Sequence, residues 1–291
     1  MTDDAIIQNT LQAVRGRLAT RRDVVLLSLL FFGFLGLYFD IFRGLIQDWS
    51  ENDNYSHGFF IPFISIYMIY TLRDDFMSLH VRPVTGGLIV LLAGLGQLLL
   101  ATTGSEFFLQ RTSMIPVLLG TVLFCLGMEH AKKIFVPICY LIFMIPLPAI
   151  LWNKIAFPMQ LFSTALTEKV VRALGIPVYR SGNILHLTET TLEVVDACSG
   201  LRSLMTMFAL SAALAWFSDL SLLKKWILFF MAAPVAICAN IIRLTVTSVL
   251  SSRYGAAMAQ GFLHEFSGFV TFFLGLAMLM GIYKVLVKIN D

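Results

Sequence analysis

Charge is scarce in this chain. Asp, Glu, Lys and Arg make up 13% of its 291 residues, roughly half the share found in an ordinary soluble domain. Hydrophobic residues make up 58%, and they fall in runs approaching the roughly 20 residues that a spanning helix needs. That excludes a water-soluble globule. A net charge of +3 is too small to suggest nucleic-acid binding, and Lys and Arg punctuate the ends of apolar runs instead of clustering on one face. Cysteine is sparse too. Cys125, Cys139, Cys198 and Cys238 show neither CxxC nor metal-ligand spacing, and no metal or other cofactor is expected. Internal repeats, low-complexity tracts and a cleavable leader are also missing. The first 22 residues are polar, and the apolar run from Val24 follows Arg15, Arg17, Arg21 and Arg22 with no small-residue cleavage site behind it. It reads as a first span that is retained.

What is present predicts an all-α polytopic transmembrane bundle of about eight spans in one domain. The spans are expected at about 24–42, 57–72, 87–103, 113–127, 134–151, 199–217, 226–249 and 265–287, the second and fourth being short. Orientation follows from the basic residues of the short loops. With residues 1–22 cytoplasmic, Arg73, Arg82, Lys132, Lys133, Lys224, Lys225, Lys284 and Lys288 all fall inside, while Asp48, Glu51 and Asp53 fall outside. Both termini are thus expected in the cytoplasm, with no further domain after the last span.

The one long connection, about 152–198, is expected on the outer side. Phe157–Leu174 mixes Phe, Leu and Val with Glu168, Lys169 and Arg172, the composition of an amphipathic helix lying along the interface. After it, Ile184–Leu187 and Leu192–Val195 are short β-prone runs, and Ser181-Gly182-Asn183 is a turn signal. A small β-hairpin before the sixth span is predicted there, delivering Asp196-Ala197-Cys198 to the start of that span.

Ionisable or nucleophilic groups at the membrane boundary are expensive unless used. Three stand at the outer ends of the last three spans: Cys198, Arg243 and His264. Cys198 precedes Ser199-Gly200-Leu201-Arg202, at an expected helix start whose free N–H groups and dipole favour an anion. Arg202 falls on the same face and adds positive charge. Both effects favour the thiolate. Glu193 and Asp196 oppose it, although Asp196 could cap the helix. An inert interfacial cysteine is the other reading. Asn240 and Arg243 form an i, i+3 polar pair within an apolar helix. Arg243 alone could snorkel to the interface, but Asn240, one turn deeper, cannot. His264 could serve as base, acid or hydrogen-bond donor, or be structural. His57, in Tyr55-Ser56-His57-Gly58, could touch a substrate or cap a helix. Taken together, the set fits nucleophilic catalysis: an activated thiol, a cation for a developing oxyanion and a proton carrier.

These segments resemble the exosortase/archaeosortase family of membrane cysteine transpeptidases. The resemblance lies in Ala197-Cys198-Ser199-Gly200-Leu201-Arg202, in Asn240-Ile241-Ile242-Arg243, in Gly261–Gly268 with His264, and in Tyr55-Ser56-His57-Gly58 followed by Phe59-Phe60-Ile61-Pro62. It implies that Cys198 forms an acyl-thioester and that Arg243 and His264 are the other catalytic positions. Arg202, Asn240, Ser199, Gly200 and Glu193 are expected to support them, with Tyr55 and His57 as possible substrate contacts. It implies, too, a bacterial plasma membrane with the site on the periplasmic face. The partners would be membrane-anchored exported proteins of the PEP-CTERM kind, bearing a Pro-containing motif, a helix and a basic tail. They are often linked to exopolysaccharide, and the acceptor is unidentified. Arginine is a poor proton donor at its ordinary pKa, which favours an electrostatic role for Arg243. Two rivals stand beside this. One is a rhomboid-type protease using Ser199, whose Gly-x-Ser-Gly pattern is absent. The other is a transporter or channel component with a polar path lined by Asn240, Arg243 and His264.

Overall fold

A helix with apolar side chains all round has no face for water, and most long helices here are of that kind. The computed structural model describes residues 21–188, 191–194, 201–255 and 262–289. The helices are α1 (Arg21–Leu37), α2 (Phe39–Glu51), α3 (Ile61–Thr71), α4 (Arg73–Ser78), α5 (Gly86–Thr103), α6 (Phe107–Thr112), α7 (Met114–Cys125), α8 (Met128–Tyr140), α9 (Ala149–Ala173), α10 (Leu201–Phe217), α11 (Leu222–Tyr254) and α12 (Phe262–Lys288). Two 3-10 turns, Asp53–Phe59 and Leu141–Met144, and three short strands complete the described elements.

The chain is a polytopic all-α bundle. Four stretches, Gly86–Thr103, Phe107–Cys125, Leu222–Tyr254 and Ser267–Lys288, are long and apolar enough to cross a membrane. Two bent pairs raise the number to as many as six among the described residues: Ser28–Leu37 with Phe39–Glu51, bent by 60°, and Met128–Met144 with Ala149–Ala173, bent by 79°. The stretch expected as one span at 134–151 is therefore interrupted. Helix α8 gives way to the Leu141–Met144 turn, and residues 145–148 are not helical. Pro146 and Pro148 explain this, because proline lacks an N–H and turns the preceding residue away from helix. The expected spans at 57–72 and 199–217 correspond to α3, of 11 residues, and α10, of 17.

By internal contact the chain divides into two units, residues 1–48 with 66–139 and residues 49–65 with 140–291. In the first, α5 packs on α7 through glycines. A Cβ on Gly94 would come within 2.9 Å of the Val117 nitrogen, and one on Gly120 within 2.7 Å of the Leu91 Cα. Small residues let helix backbones approach this closely inside a membrane. The α1–α2 bend centres on Tyr38, which is wholly buried. Its hydroxyl lies 2.9 Å from the Ser113 Oγ. Ser113 spends its own hydrogen on the Gln110 carbonyl, so Tyr38 is the donor. Arg111 is paired with Asp48 at 2.6 Å.

In the second unit, α10, α11 and α12 pack on one another. Ala215, Leu220, Leu228, Leu279 and Leu286 form their shared core. Gly275 of α12 meets Met207 of α10 and Ala239 of α11, where a Cβ would approach the Met207 Cε to 2.9 Å. Helix α9 packs on α11 and leads into the sheet. The amphipathic helix expected from Phe157 begins at Ala149. Its hydroxyl side is the inward one: Gln160, Ser163, Thr164 and Thr167 are buried, whereas Phe157, Phe162 and Val170 are exposed.

The strands are β1 (Val178–Ser181), β2 (Ile184–Leu187) and β3 (Thr191–Glu193), antiparallel in the order β1-β2-β3. Gly182, at φ +63°, supplies the left-handed residue that so tight a loop requires. The predicted hairpin is β2 with β3. Its extra partner, β1, is too polar at Arg180 and Ser181 to stand out in the sequence.

Candidate functional site

The Asp53–Phe59 turn is fixed from several directions. Asn52 caps it, accepting from the Asn54 N–H at 3.0 Å. Trp49 donates its indole N–H to the Met144 carbonyl at 2.8 Å. His57 Nε2 lies 3.2 Å from the Phe143 carbonyl oxygen, and since a carbonyl only accepts, Nε2 carries the proton. Tyr55 is buried with its ring against Trp152, centroids 5.3 Å apart. Gly58 sits directly under the Trp49 indole, with no room for a Cβ. Tyr55 and His57, expected as possible substrate contacts, thus both make internal contacts.

The same turn holds the first described side chain of the cysteine segment. Arg202, at the start of α10, places Nη2 at 3.2 Å from Asp53 Oδ2 and donates from Nε to Asn54 Oδ1 at 3.4 Å. These partners lie about 150 positions upstream, and nothing in the sequence marks Asp53 as more than one acid of an outer loop. Cys198, Ser199 and Gly200 lie outside the described residues, as do Asp196 and Ala197. Glu193, the last residue of β3, is exposed and pairs with Ile184. The next residue, Val194, is wholly buried against Leu244 of α11.

Leu244 follows Arg243 directly. Arg243 is half-buried and donates from Nη2 to Asn240 Oδ1 at 2.9 Å, the i, i+3 contact that the sequence spacing predicts. Asn240 is wholly buried, and its Nδ2 has no partner among the described residues. A guanidinium has only donors, so the amide oxygen must face Arg243 and the amide hydrogens must face away. His264 belongs to the first turn of α12, and its side chain lies outside the described set. The other cysteines, Cys125, Cys139 and Cys238, are free thiols in α7, α8 and α11.

Burial holds the His57 pKa below its ordinary value, against the opposing pull of the Phe143 and Asn54 carbonyl contacts. An imidazole depressed in the fold is neutral at pH 7. Between its folded pKa and the unfolded value of about 6.5, the unfolded chain binds more protons, so stability falls as the pH is lowered through that window. The contribution is fully present above about pH 6.5. Thermal unfolding followed from pH 7.5 to 5.5 is expected to show a falling Tm for wild type and a flatter profile for His57→Gln. Parallel profiles would remove His57 as the source.

The family model described as Transmembrane exosortase matches residues 49–281, four-fifths of the chain, from Trp49 through the segments that carry Arg202, Arg243 and His264. No curated protein and no solved structure matches the chain. With most of its length matched, the chain belongs to the transmembrane exosortase family, membrane cysteine transpeptidases that process the sorting signals of exported proteins.

Proposed function

We propose that Cys198 is the nucleophile of a sorting-signal transpeptidase, with Arg243 and His264 completing the site. The supporting observation is the contact of Val194 with Leu244. Four residues of chain reach no further than about 14 Å, so a cysteine four positions after Val194 stays within reach of the helix turn that bears Arg243. The packing of α10, α11 and α12 at Gly275 supports the same grouping.

The thiolate attacks the scissile carbonyl carbon, forming the C–S bond. Arg243 faces the resulting oxyanion, where a fixed cation contributes most. As the intermediate collapses, the C–N bond breaks and the leaving amine takes a proton, for which His264 is the better carrier. An acceptor nucleophile then displaces Cys198 from the thioester. Arg202, held by Asp53 and Asn54, keeps positive charge four residues along the chain from the thiol. Tyr55 and His57 act as supports of that turn.

Eight spans, counting α3 and α10, with both termini in the cytoplasm, would put the three residues on the periplasmic face of a bacterial plasma membrane. A substrate with a Pro-containing motif, a helix and a basic tail would share that membrane. Its anchoring would bring the motif to the thiol without a bimolecular search.

The test is processing of a tagged substrate of this form, co-expressed with wild type, Cys198→Ala, Arg243→Ala and His264→Ala at matched membrane levels. Wild type is expected to shorten it, Cys198→Ala to leave it intact, and the other two to process it slowly or not at all. Normal processing by Cys198→Ala would sink the nucleophile assignment.

A further inference from the structure

Six buried side-chain atoms have no hydrogen-bond partner among the described residues, and five belong to one helix pair. These are Ser163 Oγ and Thr167 Oγ1 of α9, and Asn240 Nδ2, Thr245 Oγ1 and Ser251 Oγ of α11. The sixth, His130 Nδ1, lies in the other unit. Helices α9 and α11 pack on each other. Ser163, Thr167, Asn240 and Ser251 are wholly enclosed, each 0% exposed. Leaving buried donors and acceptors unpaired is costly, and neighbouring hydroxyls show that it is avoidable here. Thr164 bonds back to the Gln160 carbonyl at 2.5 Å and Ser248 to the Leu244 carbonyl at 2.8 Å.

We propose that the seam between α9 and α11 binds the main chain of the substrate's extended, Pro-containing segment. This rests on the assignment of chemistry to Cys198 and Arg243. Each proline removes a main-chain donor and frees a carbonyl that a helix would have paired, and at membrane depth bare N–H and C=O groups of an extended segment must find partners in protein. The orphaned atoms match that need. Hydroxyls donate and accept, and the Asn240 amide donates. Ser163 and Thr167 are one helical turn apart, about 6 Å along the axis, close to the roughly 6.6 Å between alternate residues of an extended chain. Asn240, one of the orphaned groups, also holds Arg243, so a chain that bonds to Asn240 lies beside the oxyanion-stabilising residue. Entry requires α9 to draw off α11, and the non-helical residues 145–148 before α9 are where it can turn.

The test uses full-length enzyme in nanodiscs and a fluorescent peptide carrying the motif, helix and basic tail. The peptide's Kd is measured on the Cys198→Ala background and its KM and kcat on the otherwise wild-type background. The paired Ser163→Ala and Thr167→Val variant is expected to raise both Kd and KM by about tenfold, with Tm unchanged or higher because two orphaned polar groups are gone. A peptide N-methylated at the main-chain amides of the motif is expected to bind wild type about tenfold more weakly, with no variant involved. Unchanged Kd for both the paired variant and the N-methylated peptide would overturn the proposal and leave the hydroxyls as packing groups. A fall in kcat at constant Kd would also overturn it, pointing to water or acceptor delivery. Normal processing by Cys198→Ala would instead remove the parent assignment, and the binding data would stand apart from it.

Discussion

Gly58→Ala is expected to be among the most damaging single-methyl additions in the chain, although Gly58 touches no reacting group. A Cβ there would lie 2.6 Å from Trp49 Cδ1 and 2.7 Å from Cε2, so either the indole or the turn must move. The indole is not free to yield. Its N–H is bonded to the Met144 carbonyl, and its ring meets Phe59 edge-on at 5.2 Å. Overpacking of this kind costs about 1–3 kcal/mol, and losing the indole bond adds about 1 kcal/mol. Movement of the turn carries Asp53 and Asn54 away from Arg202, so that damage to folding and damage to the site arrive together. Processing per folded molecule is expected to fall at least about tenfold, measured as substrate shortening normalised to folded enzyme. Trp49→Leu, which makes room, is expected to recover part of the loss in combination. The coupling between the two positions would then exceed the roughly 0.5 kcal/mol seen for independent sites. A Gly58→Ala enzyme with wild-type Tm and rate would show that the turn does not govern Arg202.

Local features of the site were legible in the sequence, and distant partnerships were not. Asn240 and Arg243 could be paired from spacing alone, because three residues on a helix bring two side chains onto one face, and their hydrogen bond is observed. The β2–β3 hairpin was legible for the same local reason. Arg202 was different. Its charge could be assigned to the cysteine segment, but its anchors on the Asp53–Phe59 turn depend on how the bundle folds. Helix α9 was legible as an amphipathic helix, but not which side it buries. Its Gln160, Ser163, Thr164 and Thr167 are enclosed, while Phe157, Phe162 and Val170 are exposed together with Lys154, Lys169 and Arg172, a division that depends on the helix packed against it. The break at Pro146 and Pro148 was visible in principle, but the continuous hydropathy of 134–151 outweighed it.

Asn240→Leu is expected to slow acyl transfer by about 100-fold or more with little change in stability, and the two expectations share one cause. The amide of Asn240 accepts from Arg243 and leaves its Nδ2 hydrogens unpaired among the described residues. Replacing it loses a bond to a charged donor, about 1.5–3 kcal/mol. It also removes an orphaned buried donor, a relief of about 1–3 kcal/mol. The sum lies near zero, so Tm is expected to move little while kcat collapses. A Leu variant with wild-type kcat would remove Asn240 from the machinery. Asn240→Asp then separates two roles for Arg243. The carboxylate keeps an acceptor in the same place, so the guanidinium remains oriented, but its negative charge cancels the field that an oxyanion would feel. If Arg243 acts through its positive charge, the Asp variant is as slow as the Leu variant. If Arg243 acts by geometry, as a hydrogen-bond donor to the leaving amine, the Asp variant stays fast. The low intrinsic acidity of a guanidinium makes slowness in both the expected result.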